Sequence, residues 1–312
     1  MSFSPGARDA MLWVNGGSDP QGQPPFRLET AMTSQTLLFI TDKDTSDATL
    51  SAVADTAYDT SSHLTCLLLG TMPHLPVSIY GAMPYVGAVA TEDWPRLMQQ
   101  AQGDLQNRVT HATEVLTRNG VPGDVQPALC ATADIQRAVS RRAMTSDIAH
   151  IAPNLRKSDD VFQQAVQGVL FQSPIGVLLN TDGLVAPKRV FLAWDDGLSA
   201  ARAAHMALPM LQAATEVTVG CFDLSSAQGP NHKDPGVDVA TWLSHQGCNV
   251  TVTQYPTGGQ EIGTCIQDRA AEIGADLIVM GAYGHSRLRE TVFGGTTRTM
   301  LAQTDMPVFL AH

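Results

Sequence analysis

Short apolar runs alternate with longer helix-patterned stretches along this chain, and the whole alternation runs through twice. Buried strands of a parallel sheet read as continuous Val, Ile and Leu runs, whereas the helices that cover them repeat every three to four residues. In the first half the strand runs are 36–40, 64–69, 125–129, 148–152 and 175–179. Helical patterns at 50–58, 93–119 and 134–144 lie between them, the long one ended by Gly120. In the second half the runs are 189–194, 216–222, 249–253, 277–280 and 308–311, with helical patterns at 199–213 and 261–273. Five strands joined by helices specify an open parallel sheet wound on both faces, so the expected fold is α/β, with two doubly wound five-stranded sheets in tandem.

Three pairs of residues stand at matching places in the two halves: Asp42 with Asp195, Asp147 with Asp276, and Pro174 with Pro307. The chain reads as a duplication. Asp42 and Asp147 are 105 positions apart and Asp195 and Asp276 only 81, which places the extra residues of the first copy most simply between Thr71 and Asn119. Between the last two anchors the first copy is instead the shorter, at 27 positions against 31. The expected boundaries are a lead at 1–31, a first domain at 32–183 and a second at 184–312. The lead carries Asn15-Gly16-Gly17-Ser18-Asp19-Pro20 and Gln23-Pro24-Pro25, which break any periodicity. Met32 reads as a natural start, which would make the lead an extension.

Composition narrows the function classes. A net charge of −11 opposes a phosphate-backbone partner, so no nucleic acid is expected. No apolar run approaches the roughly 20 residues that cross a bilayer, and no basic-then-apolar segment opens the chain, so the expectation is a cytoplasmic protein without membrane insertion. Five scattered cysteines, with no C-x-x-C pair, read as small buried hydrophobes.

The chemistry concentrates at Asp276-Leu277-Ile278-Val279-Met280-Gly281-Ala282-Tyr283-Gly284 and, after nine intervening residues, at Gly294-Gly295-Thr296-Thr297. A buried strand runs into a glycine turn, and a second glycine pair opens the last helix. Glycine lets a bound group approach the main chain, and a helix N-terminus offers unpaired N–H groups and a positive dipole end, which together suit a phosphate. His285, Ser286, Arg287 and Arg289 in the same loop read as a solvated face, and His205 and His245 have no second ligand at metal spacing. In the first copy Ile148-Ala149-His150-Ile151-Ala152-Pro153-Asn154-Leu155 replaces the loop, and Val161-Phe162-Gln163 stands where the second glycine pair should be; Pro153 lacks a donor, so a phosphate would have no cradle there.

The spacing G-x-x-G, nine residues, G at Gly281, Gly284 and Gly294 resembles that of ATP-binding universal stress proteins. Asp-Leu-Ile-Val-Met-Gly and the closing Met-Pro-Val-Phe-Leu-Ala-His are similar to the same family. The resemblance is strong over the second half and weak over the first. It implies a strand order 3-2-1-4-5, Asp195 beside the nucleoside, the main chain of Phe222 against adenine, and phosphates at Gly281, Gly284, Gly294, Gly295, Thr296 and Thr297. Gly295 departs from the family, which places Ser or Thr directly after the third glycine. Asp195 reads equally as an N-cap of the following helix.

The resemblance implies an adenine-nucleotide sensor of the stress response, with ATP, alone or with Mg2+, as a ligand and no obligatory catalysis. The chain lacks the Lys of a P-loop and an acidic pair for Mg2+. Family members pair through the edge after the last strand, which implies an intrachain pseudo-dimer joined at Ile175–Leu179 and Val308–Phe309. A homodimer of chains and the identity of a regulatory protein partner stay open. So do two rival readings, an interaction protein that binds no nucleotide and a slow ATP-hydrolysing enzyme of the same fold.

Overall fold

The computed structural model describes residues 35–73, 93–183, 186–223, 234–283 and 295–312. The expected N-terminal lead lies outside the described residues. The first copy runs β1 (Thr36–Asp42), α1 (Asp47–Asp59), β2 (His63–Thr71), α2 (Asp93–Arg118), β3 (Gly123–Cys130), α3 (Ile135–Ala143), β4 (Ile148–Ile151), α4 (Asp159–Gln172) and β5 (Val177–Leu179). The second runs β6 (Arg189–Trp194), α5 (Leu198–Met206), α6 (Leu208–Ala213), β7 (Glu216–Phe222), α7 (Val237–His245), β8 (Val250–Tyr255), α8 (Ile262–Glu272), β9 (Leu277–Gly281), α9 (Gly295–Ala302) and β10 (Val308–Ala311).

One expected helix is two. The 199–213 pattern breaks at Ala207, and Pro209 sits in the first turn of α6. Proline cannot donate to the preceding turn and its ring crowds the carbonyl four residues back, so the chain restarts the helix there. The extra length of the first copy shows in α2, which has 26 residues against nine in its counterpart α7.

The ten strands form one sheet in the order β3-β2-β1-β4-β5-β10-β9-β6-β7-β8. Each half has the order 3-2-1-4-5 with parallel neighbours, and the halves meet where β5 and β10 pair antiparallel, Leu178 opposite Phe309. The edges singled out from sequence are the ones that meet. Gly176 makes the close approach there, because a Cβ on it would stand 2.7 Å from Cε2 of the buried Phe309 ring. The core is continuous across the join, with Leu155, Val177 and Leu179 of the first copy clustering with Met300, Leu301, Val308 and Leu310 of the second.

The aspartate anchors have a shared structural role. Asp147 Oδ2 accepts from Thr36 N–H at 2.7 Å, and Asp276 accepts from Lys188 and Arg189 N–H at 2.8 and 3.0 Å. Each carboxylate holds the entry of its copy's first strand. The cysteines are unbonded, and burial pushes the Cys66 thiol up to about 12 and Cys221 to about 11, far from a reactive thiolate.

His150 on β4 is completely buried against Phe39, with Nε2 hydrogen-bonded to the Thr181 carbonyl at 2.8 Å. Burial pulls it down to about 4, because a charged imidazolium would lose its water there. Its folded value is below its unfolded one, so as pH falls the unfolded chain takes up the proton first. Stability is therefore complete above about pH 6.5 and is lost progressively toward pH 4, by about 3 kcal/mol from this group. Urea unfolding at pH 7 and pH 4.5 should show that loss. A His150→Leu variant, weaker at pH 7 through the lost bond to Thr181, should lose less over the same interval, and an unchanged pH dependence would contradict the assignment.

Candidate functional site

The two copies can be compared at the same place, the C-terminal ends of strands one and four, where the strand order reverses. In the second copy these are β6 and β9. The chain leaves β6 through Asp195, Asp196 and Gly197, with Asp196 at φ 56°. Asp195 Oδ1 accepts from Gly197 N–H at 2.9 Å and so closes the turn that enters α5. The N-cap of α5 is Gly197, which corrects the expectation that Asp195 could serve as that cap.

Phe222 ends β7. Its ring is buried and stacks on Tyr255, with centroids 5.5 Å apart. Val217 and Asp223 donate their N–H groups toward β8, so by the alternation of a strand the main-chain groups of Phe222 face β6. The β6 pairing stops at Trp194, opposite Cys221. Phe222 thus turns its main chain to the crevice beyond the end of β6. Next to it, Asp223 accepts from Thr257 N–H at 3.1 Å and from the Thr257 hydroxyl, which hold its carboxyl below the usual carboxylate range.

Gly281 ends β9, and a Cβ on it would run into the main chain of α5, at 2.5 Å from the Ser199 carbonyl carbon. Its lack of a side chain serves the packing of α5 on the sheet. Tyr283 follows in the left-handed region, at φ 64°, and donates its N–H to Thr297 Oγ1 at 3.2 Å. Thr297 is buried, so its hydroxyl ties the exit of β9 to α9. Gly284 and Gly294 lie outside the described residues, as do His285, Ser286, Arg287 and Arg289. Gly295 opens α9 and is exposed, and among the described residues a Cβ there would meet only Glu261 Oε1, at 3.7 Å. Thr296, half-buried, comes next. Glu261 is the N-cap of α8, accepting from Thr264 N–H at 2.9 Å. Its carboxylate therefore stands beside the N-terminus of α9.

The structure thus sets Asp195 and Phe222 on neighbouring strand ends, and Thr297 and Gly295 on the helix that follows β9. Among the described residues no group of three metal-ligating side chains gathers.

The first copy answers the same geometry differently. A 3-10 segment, Pro153–Lys157, fills the connection from β4 to α4. Asn154 on it donates from Nδ2 to Asp42 Oδ1 at 2.7 Å and accepts from the Thr45 hydroxyl at 2.8 Å. Asp42 Oδ1 also takes Asp44 N–H at 2.9 Å. The aspartate equivalent to Asp195 is occupied by the chain's own amide, and Leu155 behind it is buried.

Sequence reasoning missed this plug, and it missed the contacts from the first copy onto the second. Phe171 of α4 packs on Tyr283 at 4.5 Å and on His312 at 5.0 Å, and His312 Nδ1 bonds the Ala282 carbonyl at 3.0 Å. Arg156 reaches the Leu301 carbonyl at the end of α9. Nothing in the local spacing signals either contact.

Comparison with known proteins bears on the fold. Residues 187–312 match the model of the Universal stress protein family. No curated protein matches the sequence. Among solved structures, a universal stress protein from Archaeoglobus fulgidus DSM 4304 superposes with a TM-score of 0.62 at 16% identity, covering 89% of this chain and 98% of that one. A putative universal stress protein from Pseudomonas aeruginosa UCBPP-PA14 does so with a TM-score of 0.51 at 14% identity, over 90% and 94% of the two chains. At such identities the likeness is one of fold. The second copy therefore matches the Universal stress protein family in sequence, and the chain as a whole shares the fold of solved universal stress proteins.

Proposed function

We propose that the second copy binds one adenine nucleotide, ATP, and that the protein acts as a cytoplasmic stress-response sensor without obligatory catalysis. One observation carries this. At the switch point Asn154 is bonded to Asp42 in the first copy, whereas the equivalent ends of the second copy carry Asp195, Phe222 and the start of α9. The residues fit such a ligand: a nucleoside between the ends of β6 and β7, and phosphates toward the N-terminus of α9 at Gly295. Backbone donors and a helix dipole hold an anion without supplying a base or a nucleophile.

The Glu261 carboxylate beside Gly295 opposes a phosphate, and the hydroxyl usual after the third glycine is absent. Both differences can be reversed. Glu261→Gln should tighten ATP binding roughly two- to fivefold by removing a like charge, at the cost of part of the α8 cap. Gly295→Ser should tighten it by a similar factor, since a neutral hydrogen bond contributes about 1 kcal/mol and no described atom lies within 3.4 Å of a Cβ there. Titration calorimetry on both variants checks these signs, and weaker binding in both would place the phosphates away from α9.

A second reading, an interaction protein with no nucleotide, draws on Gly281 and Thr297, whose features are already accounted for by α5 packing and by Tyr283. Mass analysis of the molecules released on heating freshly purified protein separates the two. Released ATP or AMP supports the sensor, and an empty supernatant supports the alternative.

A further inference from the structure

The segment Pro153–Lys157 carries two residues with different tasks. Asn154 turns into the first copy and closes the site at Asp42. Arg156, two positions on, turns out of the first copy. Its Nη1 donates to the Leu301 carbonyl in the last turn of α9, and its Nη2 donates to Asn180 Oδ1 at 2.5 Å. The guanidinium lies over the Phe162 ring, 4.4 Å from its centroid, so α4 holds it in place from beneath.

Asn180 completes the clamp. It follows β5 at φ 62° and donates from Nδ2 to the carbonyls of Gln303 and Met306, at 3.0 and 3.1 Å. The carbonyls that a helix end leaves unpaired are thus taken by side chains of the other copy. A cation at that end also complements the helix dipole. The N-terminal side of α9 is held by Thr297 through Tyr283, and Tyr283 in turn packs on Phe171 of α4. Both ends of the eight-residue helix are therefore braced from the first copy.

We infer that Arg156 is a positioning residue for the nucleotide site of the second copy, holding α9 so that its N-terminal N–H groups meet the phosphates. The first copy, closed by its own Asn154, is the brace of the second. This rests on the nucleotide reading above. Because the plug and the clamp share one short segment, ATP binding at α9 must also protect that segment, by the reciprocity of linked equilibria.

The experiment compares the full-length wild type with Arg156→Met, which keeps length and loses charge and donors, and with Arg156→Lys, which keeps only the charge. ATP affinity is measured by calorimetry at 10 °C, and amide exchange is followed over 295–303 and 153–157 with and without ATP. Leu50→Ala, a core truncation in α1, controls for loss of stability alone. Arg156→Met should weaken ATP binding roughly five- to tenfold and speed exchange in α9, and Arg156→Lys should fall between it and the wild type. Leu50→Ala should lower the melting temperature without moving the affinity, and ATP should slow exchange over 153–157 in the wild type. Wild-type affinity in Arg156→Met overturns the inference and leaves the nucleotide site standing. A wild type that binds no ATP overturns the site and the inference together.

Discussion

Phe309→Ala should destabilise the protein by about 3–5 kcal/mol, the usual cost of emptying a buried aromatic site. Phe309 is buried at the one antiparallel pairing of the ten-stranded sheet, and its ring lies over Gly176 of the neighbouring copy. Truncation removes dispersion contacts on both sides of the join, and the backbone cannot collapse into the gap without breaking the β5–β10 ladder. For a unit of this size the melting temperature should drop by roughly 10 °C. Gly176→Val alone should also destabilise, by about 1–3 kcal/mol, because its side chain competes with the ring. Combined with Phe309→Ala it should recover part of the loss, since the new methyls enter the vacated space. Purely additive losses in that double variant would show that the two residues do not pack on each other.

Gly284→Val should abolish ATP binding, by a factor of about 100 or more, while leaving the fold intact. Gly284 lies outside the described residues, and the expectation comes from its spacing to Gly281 and Gly294. Of the three motif glycines, Gly281 is committed to the approach of α5, so its replacement would disturb packing as well as any ligand. By the motif spacing, a valine at 284, between β9 and α9 in the sequence, would instead stand where a phosphate is expected to approach the main chain. Leu155, its counterpart by spacing in the first copy, is buried and would confuse stability with binding. The better control is Asp42→Asn, at a carboxylate already taken by Asn154, where ATP should still bind, weakened at most a few-fold through the segment that Asn154 shares with Arg156. Calorimetry with circular dichroism as a check on folding reads both variants. Wild-type affinity in Gly284→Val would mean that this loop does not hold the phosphates.

The central strands were legible because they are buried on both faces and written as unbroken apolar runs, such as Leu37-Leu38-Phe39-Ile40 or Leu277-Ile278-Val279-Met280. The duplication was legible because Asp147 and Asp276 do the same local work at the entry of β1 and β6. The break at Pro209 was visible as a proline and was overridden by the apolar period around it. What local pattern could not show are contacts that exist only once the sheet has closed. Asn154 meets Asp42 across 112 positions, and Arg156 meets Leu301 across 145. The same limit applies to Gly281 and Thr297. Sequence marks them as phosphate ligands by spacing, whereas their described partners are the α5 main chain and the Tyr283 N–H. Both partners lie close to the site, so these residues shape it even where they do not touch a ligand.

In the proposed division of labour one copy binds and the other supports. Its most direct test is the stoichiometry of ATP binding to the full-length chain by titration calorimetry. The account predicts one ATP per chain, bound in the second copy, with a heat that disappears in Gly284→Val and persists in Asp42→Asn. Two ATP per chain, or none, would contradict it.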